Sequence, residues 1–289
     1  ISCIQNPVSG RETTLGAPQP ATSPRRVMVI GGGPGGLKAA AAAAERGHDV
    51  TLFERETQLG GQARLAQLLP HRAEFGGIIT NLTRECELAG VQFRKGVTVD
   101  EAVISEFAPE AVIVATGATP RWPRFEGDDL DHVVDAWQVL QGKAQVGASV
   151  VVADWRADWV GMGLAEHLAQ AGHRVRLAVN GYMPGQTIQM YVRDAGIGRL
   201  HSLGVEVLPY MRLFGADEDS VYLQHIMSQE AVICEEVDTL VLCQGHRPDT
   251  DVEQTLRRMG ISHELAGDCI APRTAEEAVL EGLRAGRAV

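Results

Sequence analysis

Short runs of apolar residues recur along the chain at intervals that suit a buried parallel sheet. Val27–Ile30, Val50–Phe53 and Val112–Ala115 are each almost wholly apolar, as expected for strands that are covered on both faces. Between the first two lies Leu37–Arg46, an alanine-rich stretch of high helix propensity, which Gly47 can end. The order strand, helix, strand predicts a βαβ unit and therefore the α/β fold class.

The same pattern returns in the second half of the chain. Ser149–Ala153 and Arg174–Val179 are predicted strands, and Gly163–Ala171 between them is a predicted helix. The ends of the two helices are alike, AERGHDVTLF and AQAGHRVRLA, which indicates an internal repeat of one supersecondary unit. Further helices are predicted over Phe75–Ala89 and Ala275–Ala285, and further strands over Val91–Val99, Val205–Leu208, Val221–His225, Ala231–Cys234 and Thr239–Leu242.

Glycines fill the turn between the first strand and its helix. Gly31, Gly33 and Gly36 fall on the pattern G-x-G-x-x-G, in which they permit a tight turn, a close pyrophosphate and close helix packing, respectively. Pro34 suits the first helical turn. Glu54 lies about twenty residues further on, where an acid binds a ribose hydroxyl. This stretch predicts a site for an adenine dinucleotide or its ADP half; a glycine-rich turn in an ordinary βαβ unit is the alternative.

The corresponding turn of the second unit has different chemistry. The sequence DWRADW, residues 154–159, stands where the first unit has bare glycine backbone. Carboxylates repel a pyrophosphate and indoles obstruct its approach, and the following strand ends at Val179 and Asn180 without an acid for a ribose. We therefore expect a dinucleotide-binding fold that does not bind a nicotinamide dinucleotide.

Other polar residues are placed where they could line the ligand. Gln62 follows a two-glycine turn, although a solvated loop residue is the alternative. Thr116 and Gly117 follow a buried strand, where small residues let the backbone approach a ligand at the carboxyl edge of the sheet. Asp268 precedes the last predicted helix, where it either caps the helix or holds a ligand hydroxyl. His246 follows a strand and could also lie near the ligand.

Composition narrows the classes of function. The 289 residues are 45% hydrophobic and 22% charged, which is typical of a globular protein with room for two domains. A formal net charge of −11 argues against a nucleic-acid partner, and no apolar run is long enough to span a membrane. The five cysteines include no C-x-x-C pair, which argues against a redox-active dithiol. The chain begins with Ile1 rather than methionine, which indicates a fragment or a processed chain. Because a long structureless lead-in is unusual at the start of a compact domain, we expect a further segment before residues 1–24.

The chain resembles the two-dinucleotide-domain flavoproteins of the glutathione-reductase type in the segments VMVIGGGPGG, LFERE, LGGQ, VIVATGATP and AGDCIAPRTAEEAVLEGLRAG. A narrower resemblance begins at Cys3. The stretch CIQNP and the GRE that follows it resemble the segment joining the two halves of the trimethylamine dehydrogenase and 2,4-dienoyl-CoA reductase family. Two segments of this chain, DWRADWVGMGLAEHLAQAG and VNGYMPGQTIQMYVRD, resemble the demethylating branch of that family, which acts on N-methylated amines.

This resemblance implies two nested Rossmann-like dinucleotide-binding domains that form the C-terminal part of a longer protein. Members carry an FMN-binding (β/α)₈ barrel and a 4Fe-4S cluster before this part, and Cys3 would match the last of the four cluster ligands. FAD, or ADP alone, would occupy the first site of this chain. The residues placed at this cofactor are Gly31, Gly33, Pro34, Gly35, Gly36, Glu54, Arg55, Gly61, Gln62, Val99, Ala115, Thr116, Gly117 and Asp268.

The resemblance also implies an order of domains. Residues 1–24, rich in proline, serine, threonine and glycine, would be a connector. Residues 25–120 and 240–289 would form the FAD- or ADP-binding domain, and residues 121–239 a NAD-binding-like domain with a degenerate fingerprint.

The implied activity is oxidation of an N-methylated amine in the barrel, with electrons passing through FMN and the cluster to an electron-transferring flavoprotein. No residue of this chain is then expected to be catalytic. We expect a cytoplasmic, oligomeric enzyme. The alternatives are an NAD(P)H-dependent flavin enoate or 2,4-dienoyl-CoA reductase, and a non-catalytic ADP-binding docking module.

Overall fold

Strands and helices alternate along most of the chain in the computed structural model, which describes residues 2–289. Residue 1, at the start of the expected connector, lies outside the described residues. The elements up to residue 120 are, in chain order, β1 (Arg26–Ile30), α1 (Pro34–Glu45), β2 (Asp49–Glu54), α2 (Ala63–Ala66), α3 (Glu74–Leu88), β3 (Gln92–Lys95), α4 (Glu101–Phe107), β4 (Ala111–Val114) and β5 (Ala118–Pro120).

The middle of the chain repeats this alternation and then becomes rich in strands. Its elements are β6 (Val133–Asp135), α5 (Ala136–Leu140), β7 (Ser149–Asp154), α6 (Trp159–Gln170), β8 (Arg174–Val179), α7 (Met190–Ser202), β9 (Glu206–Leu208), β10 (Met211–Ala216), β11 (Val221–His225), β12 (Ala231–Cys234) and β13 (Thr239–Cys243). The last elements are β14 (His246–Pro248), α8 (Asp251–Arg258), β15 (Glu264–Leu265), a 3₁₀ turn (Gly267–Cys269) and α9 (Ala275–Ala288).

These elements form two compact units. The first contains residues 2–67 together with residues 74–119 and 247–289. The second contains residues 68–73 and 120–246. Strands β5 and β14, where the chain passes between the units, pair in a two-stranded sheet.

The first unit is built on a parallel sheet of five strands in the order β15-β4-β1-β2-β3. Its core lies on both faces of this sheet. On one face Val29 and Leu52 pack with the alanines of α1, and on the other Phe53 packs with Ile104 and Leu256. Burial on both faces explains why these strands consist of continuous apolar runs.

Helices α1 and α9 pack against each other through small residues. A methyl group on Gly282 would overlap the carbonyl oxygen of Gly35, and one on Gly286 would overlap that of Ala39. The alanines Ala39–Ala43 of α1 are almost fully buried. The two helix backbones therefore lie closer together than larger side chains would permit, and this contact fixes the start of α1.

Residues 2–24 contain no helix or strand, yet they pack on the first unit. The N–H of Ala21 donates to the carbonyl of Arg46 at 2.8 Å, and Nε of Arg46 donates to the carbonyl of Gln19 at 3.1 Å. Ile4 packs against the core of the unit. The segment expected to be a separate connector is therefore part of the first unit.

The second unit repeats the parallel sheet, in the order β6-β13-β7-β8-β9. Helix α6 covers one face, where Leu164 packs with Val152 and Leu177. An antiparallel sheet, β10-β11-β12, contributes Leu223 to the core on the other face, where it packs with Val151. The predicted α/β class is confirmed, with one βαβ repeat in each unit.

The boundaries of the units differ from the expected domains in two further places. Strand β13 pairs with β6 and β7, so residues 240–246 belong to the second unit, whereas the expected domains place them in the first. Residues 68–73 also belong to the second unit, because Leu69 packs in its core against Gly163. Strand β3 ends at Lys95, short of the predicted Val99.

Within residues 2–289, no helix is both long enough and apolar enough to cross a membrane.

Replacing Gly282 by alanine should destabilise the protein, because the added methyl group meets the carbonyl oxygen of Gly35. We expect the free energy of unfolding, measured by urea denaturation, to fall by about 2 kcal/mol. The matched control is Gly198→Ala in α7, where a methyl group meets nothing within 4 Å. Higher helix propensity should stabilise that variant by about 0.5–1 kcal/mol. Equal effects of the two substitutions would contradict the close packing of α1 on α9.

Candidate dinucleotide-binding site

The turn after β1 is shaped by two close backbone contacts. Gly31 has a φ of 110°, a conformation that favours glycine, and a methyl group there would overlap the carbonyl oxygen of Ala115. A methyl group on Gly36 would overlap the carbonyl oxygen of Gly31. A side chain at either glycine would push the start of α1 away from the end of β1.

Gly33 differs from these two glycines because its outer side is open. It is the N-cap residue of α1 and has no side chain to cap the helix, and a methyl group there would meet nothing within 4 Å. Gly61 lies beside it, since a methyl group on Gly61 would be 3.2 Å from Cα of Gly33. A helix N-terminus carries N–H groups without intrahelical partners and a partial positive charge. This open turn therefore fits a diphosphate.

Three predicted site residues lie at the start of α1 or in the core of the unit. Pro34 is the first residue of α1, and Gly35 is buried where a methyl group would lie 3.1 Å from the carbonyl oxygen of Ala278. The side chain of Val99 is buried in the apolar core with Ile104. Gly35 and Val99 thus face protein, so any contact that these two residues make with a ligand would come from their backbone.

Glu54 stands at the end of β2 beside the glycine turn. It is 7% exposed, and its Oε2 accepts the N–H of Gly32 at 2.6 Å while Oε1 accepts the N–H of Glu56 at 2.8 Å. The carboxylate is thus oriented by two backbone donors and retains capacity to accept from a ribose hydroxyl. Arg55 is half exposed, and its Nη1 lies 3.3 Å from Oδ2 of Asp249.

A second group of predicted residues meets beyond the carboxyl end of β4, after Ala115. The side-chain amide of Gln62 donates to Oδ2 of Asp268 at 3.0 Å, and a methyl group on Gly117 would lie 3.7 Å from that amide nitrogen. The hydroxyl of Thr116 donates to the carbonyl of Asp249 at 2.7 Å. These residues form a polar wall on the same side of the sheet as the glycine turn.

Asp249 is a residue that the sequence patterns did not indicate. Besides accepting from Thr116, its N–H donates to the carbonyl of Gly117 at 3.0 Å, and its carboxylate pairs with Arg55. The sequence feature that could have indicated Asp249 is its position directly after Pro248 and just before a helix. His246, in contrast, belongs to the second unit, where its Nε2 accepts from the indole of Trp137 at 3.1 Å.

The cysteines of the described chain divide into one half-buried and four buried thiols. Cys269, next to Asp268, donates to the carbonyls of Val114 and Ala266 at 3.3 Å, and burial raises its pKa. Such a thiol is unreactive. Cys3 is the half-buried one. Within residues 2–289, no three His, Cys, Asp or Glu side chains gather as a metal site. The role of Cys3 as a cluster ligand therefore stays a prediction.

In the second unit a buried acid occupies the turn. Asp154 ends β7 at 2% exposure, and its Oδ1 accepts the N–H groups of Arg156 at 3.1 Å and Ala157 at 2.9 Å. Its Oδ2 has no hydrogen-bond partner within the described residues, and it lies where a side chain on Gly161 would stand. Burial, and next the charge of Asp158, raise the pKa of Asp154 from 3.8 to about 8.

The two indoles contribute less to this turn than the sequence suggested. Trp155 is 41% exposed, and Trp159 packs on the core of the unit, with the guanidinium of Arg72 lying 3.1 Å from its ring centroid. Asp158 instead caps α6, since its Oδ1 accepts the N–H of Val160 at 2.9 Å. At this turn the carboxylates, and not the indoles, accept the N–H groups beside the start of α6.

The two turns therefore have different capabilities. The first offers a helix N-terminus, an oriented acid and a polar wall, which fit a diphosphate, a ribose and a further polar chain. These groups bind and orient a ligand, and redox chemistry would come from the ligand itself. The second presents carboxylates where the first has open backbone.

Comparison with known proteins agrees with this geometry. Residues 25–282 match the pyridine nucleotide-disulphide oxidoreductase family. The chain is 30% identical to N,N-dimethylglycine/sarcosine dehydrogenase of Chromohalobacter salexigens, over 98% of this chain and 47% of that protein. It is 32% identical to bilirubin reductase of Mediterraneibacter gnavus, over 93% of this chain and 41% of that protein.

A solved structure with the same fold is that of 6-hydroxypseudooxynicotine amine oxidase from Pseudomonas geniculata N1. It matches with a TM-score of 0.91 at 26% identity, over 99% of this chain and 46% of that chain. The chain thus spans about half the length of the proteins it matches. The predicted resemblance to the amine dehydrogenase and dienoyl-CoA reductase family, with its demethylating relatives, is confirmed.

Replacing Asp154 by asparagine should stabilise the protein, and more so as the pH rises. Because the folded-state pKa of about 8 exceeds 3.8, the folded protein holds a proton that the unfolded chain releases between these values. The stability of the wild type therefore falls as the pH rises from about 4 to about 8. Asparagine mimics the protonated acid and removes this slope. We expect a gain on the order of a few kcal/mol at pH 8 and almost none at pH 4.

Urea denaturation across this pH range is the measurement. The control is Asp129→Asn, which removes the same charge from an exposed position and should keep the fall in stability that Asp154 causes. A wild type and an Asp154→Asn variant with parallel stability curves would show that Asp154 is ionised in the folded protein.

Proposed function

We propose, from the premise that this chain belongs to the pyridine nucleotide-disulphide oxidoreductase family, that it is the FAD- or ADP-binding portion of a flavoprotein that oxidises N-methylated amines. The observation that carries the proposal is the open turn at Gly33, where a helix N-terminus meets bare backbone. The amine class is supported by the similarity to N,N-dimethylglycine/sarcosine dehydrogenase along nearly the whole chain.

The residues of the first unit have distinct parts in holding this cofactor. The turn at Gly31 and Gly33 would hold the diphosphate, and Glu54 would accept from the adenine ribose. Gln62 and Asp268, which already bond to each other, would face the flavin side of FAD. A bound flavin would supply the capacity to accept and pass on electrons, whereas ADP would make this portion structural.

The reaction itself is a property of the complete protein. We propose that oxidation of the amine and onward transfer of electrons depend on FMN, a 4Fe-4S cluster and an electron-transferring flavoprotein. Cys3 would be one thiolate ligand of that cluster. Within the described part of this chain no metal-binding group of three side chains is found, so the other ligands would come from elsewhere in the protein.

A second candidate is favoured by the similarity to bilirubin reductase. This candidate function is that of an NAD(P)H-dependent flavin reductase, which needs a site for the nicotinamide nucleotide. The acids at residues 154–159 argue against such a site in the second unit. A non-catalytic docking module that binds ADP is a third candidate, and it predicts a colourless protein.

Identification of the nucleotide released from the purified chain tests the cofactor assignment. We expect one equivalent of FAD, recognised by its yellow absorbance and its chromatographic retention, or one equivalent of colourless ADP. FAD supports the redox role, and ADP supports a structural role for this portion. A chain that carries no nucleotide and binds neither compound on titration would overturn the proposal.

Replacing Gly33 by aspartate should abolish nucleotide binding without unfolding the protein. The substitution copies Asp158 of the second unit into the first, and aspartate is a favourable N-cap at a position where a methyl group meets nothing. We expect at least about a hundredfold loss of affinity, measured by calorimetric titration with FAD and ADP. The control is Gly77→Asp, which adds the same charge at an exposed and open helix position of the same unit. Full binding by a folded Gly33→Asp variant would exclude this turn as the diphosphate site.

The amine assignment is tested on the complete protein that carries this chain. Under anaerobic conditions, sarcosine or dimethylglycine should bleach the flavin absorbance, and NADH should not. The expected direction follows from the acids that replace glycine in the second unit. Bleaching by NADH, with no response to any N-methylated amine, would support the reductase instead.

A further inference from the structure

The second unit contains positions that correspond one by one to the first site. Arg26 of β1 lies opposite Asp49, and Ser149 of β7 lies opposite Arg174, which holds the same place as Asp49 in the repeated helix end, so Ile30 corresponds to Ala153. Val114 and Leu242 lie opposite these two residues and are therefore equivalent. Three residues after each comes a glycine with left-handed backbone, Gly117 with a φ of 78° and Gly245 with a φ of 81°. The two sheets therefore present the same backbone at their carboxyl edges.

The N-caps of the two helices form a second pair of equivalent points. Gly33 is the N-cap of α1 and Asp158 is the N-cap of α6. In both units the residue three positions further on is a glycine that makes a close contact, Gly36 and Gly161 respectively. The second unit therefore places a carboxylate on the helix N-terminus that the first leaves uncovered.

Arg156 fills the space between these two points. A methyl group on Gly245 would lie 3.0 Å from Cδ of Arg156, whereas one on Gly117 would meet only the amide nitrogen of Gln62, at 3.7 Å. Nε of Arg156 donates to Oδ2 of Asp158 at 2.8 Å. The cavity that remains is about 20 Å³, which is room for one water molecule. Its lining includes Trp137, Arg156, Asp158, Gln244 and His246.

We propose that Arg156 and Asp158 are specificity-determining residues, a plug that excludes nicotinamide dinucleotides from the second unit. A diphosphate needs the helix N-terminus, and Asp158 already satisfies a donor there with a like charge. Arg156 alone would attract a phosphate, but the carboxylate neutralises it and holds its side chain across the crevice. The plug would exclude NAD(P)⁺ as an electron acceptor, and this consequence rests on the proposed oxidoreductase function.

Direct titration with NADH and NADPH tests the plug without any amine substrate. In the double variant Arg156→Ala/Asp158→Ser, serine keeps a cap on α6 while the charge pair and the bulk are removed. We expect calorimetry to show no second saturable site in the wild type up to about 1 mM, and at least about tenfold tighter binding in the variant. Binding at the first turn is common to both proteins and cancels from the comparison.

The matched control is Arg174→Ala/Glu236→Gly, which removes another arginine–carboxylate pair from the same unit, with a separation of 3.4 Å. This variant should bind like the wild type. If the first double variant does not fold, as judged by circular dichroism, Arg156→Ala alone leaves Asp158 on the helix and should give a smaller gain. Two saturable NADH sites in the wild type, or identical isotherms for the wild type and a folded plug variant, would overturn the proposal. Neither result would bear on whether the first unit binds FAD or ADP.

Discussion

The close approach of α1 to its neighbours is the constraint on which the first unit depends. On one side of α1 Gly36 lies against the carbonyl of Gly31, and on the other side Gly35 packs against Gly282 of α9. Glycine lowers helix propensity, so these positions weaken the helices taken alone. The weakness is offset because tight backbone packing holds the helix N-terminus over the end of β1. The glycine turn is therefore positioned by the core of the unit and not by the loop that contains it.

The parts of the fold that could be predicted are those encoded by local pattern. Strands such as β1 and β4 are apolar because both faces of the sheet are covered, and the fingerprint glycines stand at fixed spacing. Helix α7 was not predicted, because Gly196 and Gly198 interrupt its sequence and its apolar residues do not form one clear face. The short helices α4 and α8 likewise offer few residues from which to read a period.

At the site, the sequence identified residue types but not their partners. Asp154 and Asp158 were recognised as acids in a turn, yet their roles depend on tertiary position. One acid takes the space beside Gly161, and the other caps α6. The placement of Arg156 over Gly245 joins residues far apart in the chain, which no local pattern records. Two turns from one repeated unit have thus diverged through side chains while their strands and helices remained alike.

The short segment of residues 68–73 has a consequence for how the chain can be divided. It leaves the first unit after residue 67 and returns before residue 74, and between them it supplies Leu69 to the core beside Gly163 and Arg72 to the ring of Trp159. A fragment cut at residues 120 and 246 would lack this piece of its own interior and leave Gly163 of α6 without the side chain that covers it. The units are thus interleaved in sequence, and neither is a contiguous module that recombination could exchange intact.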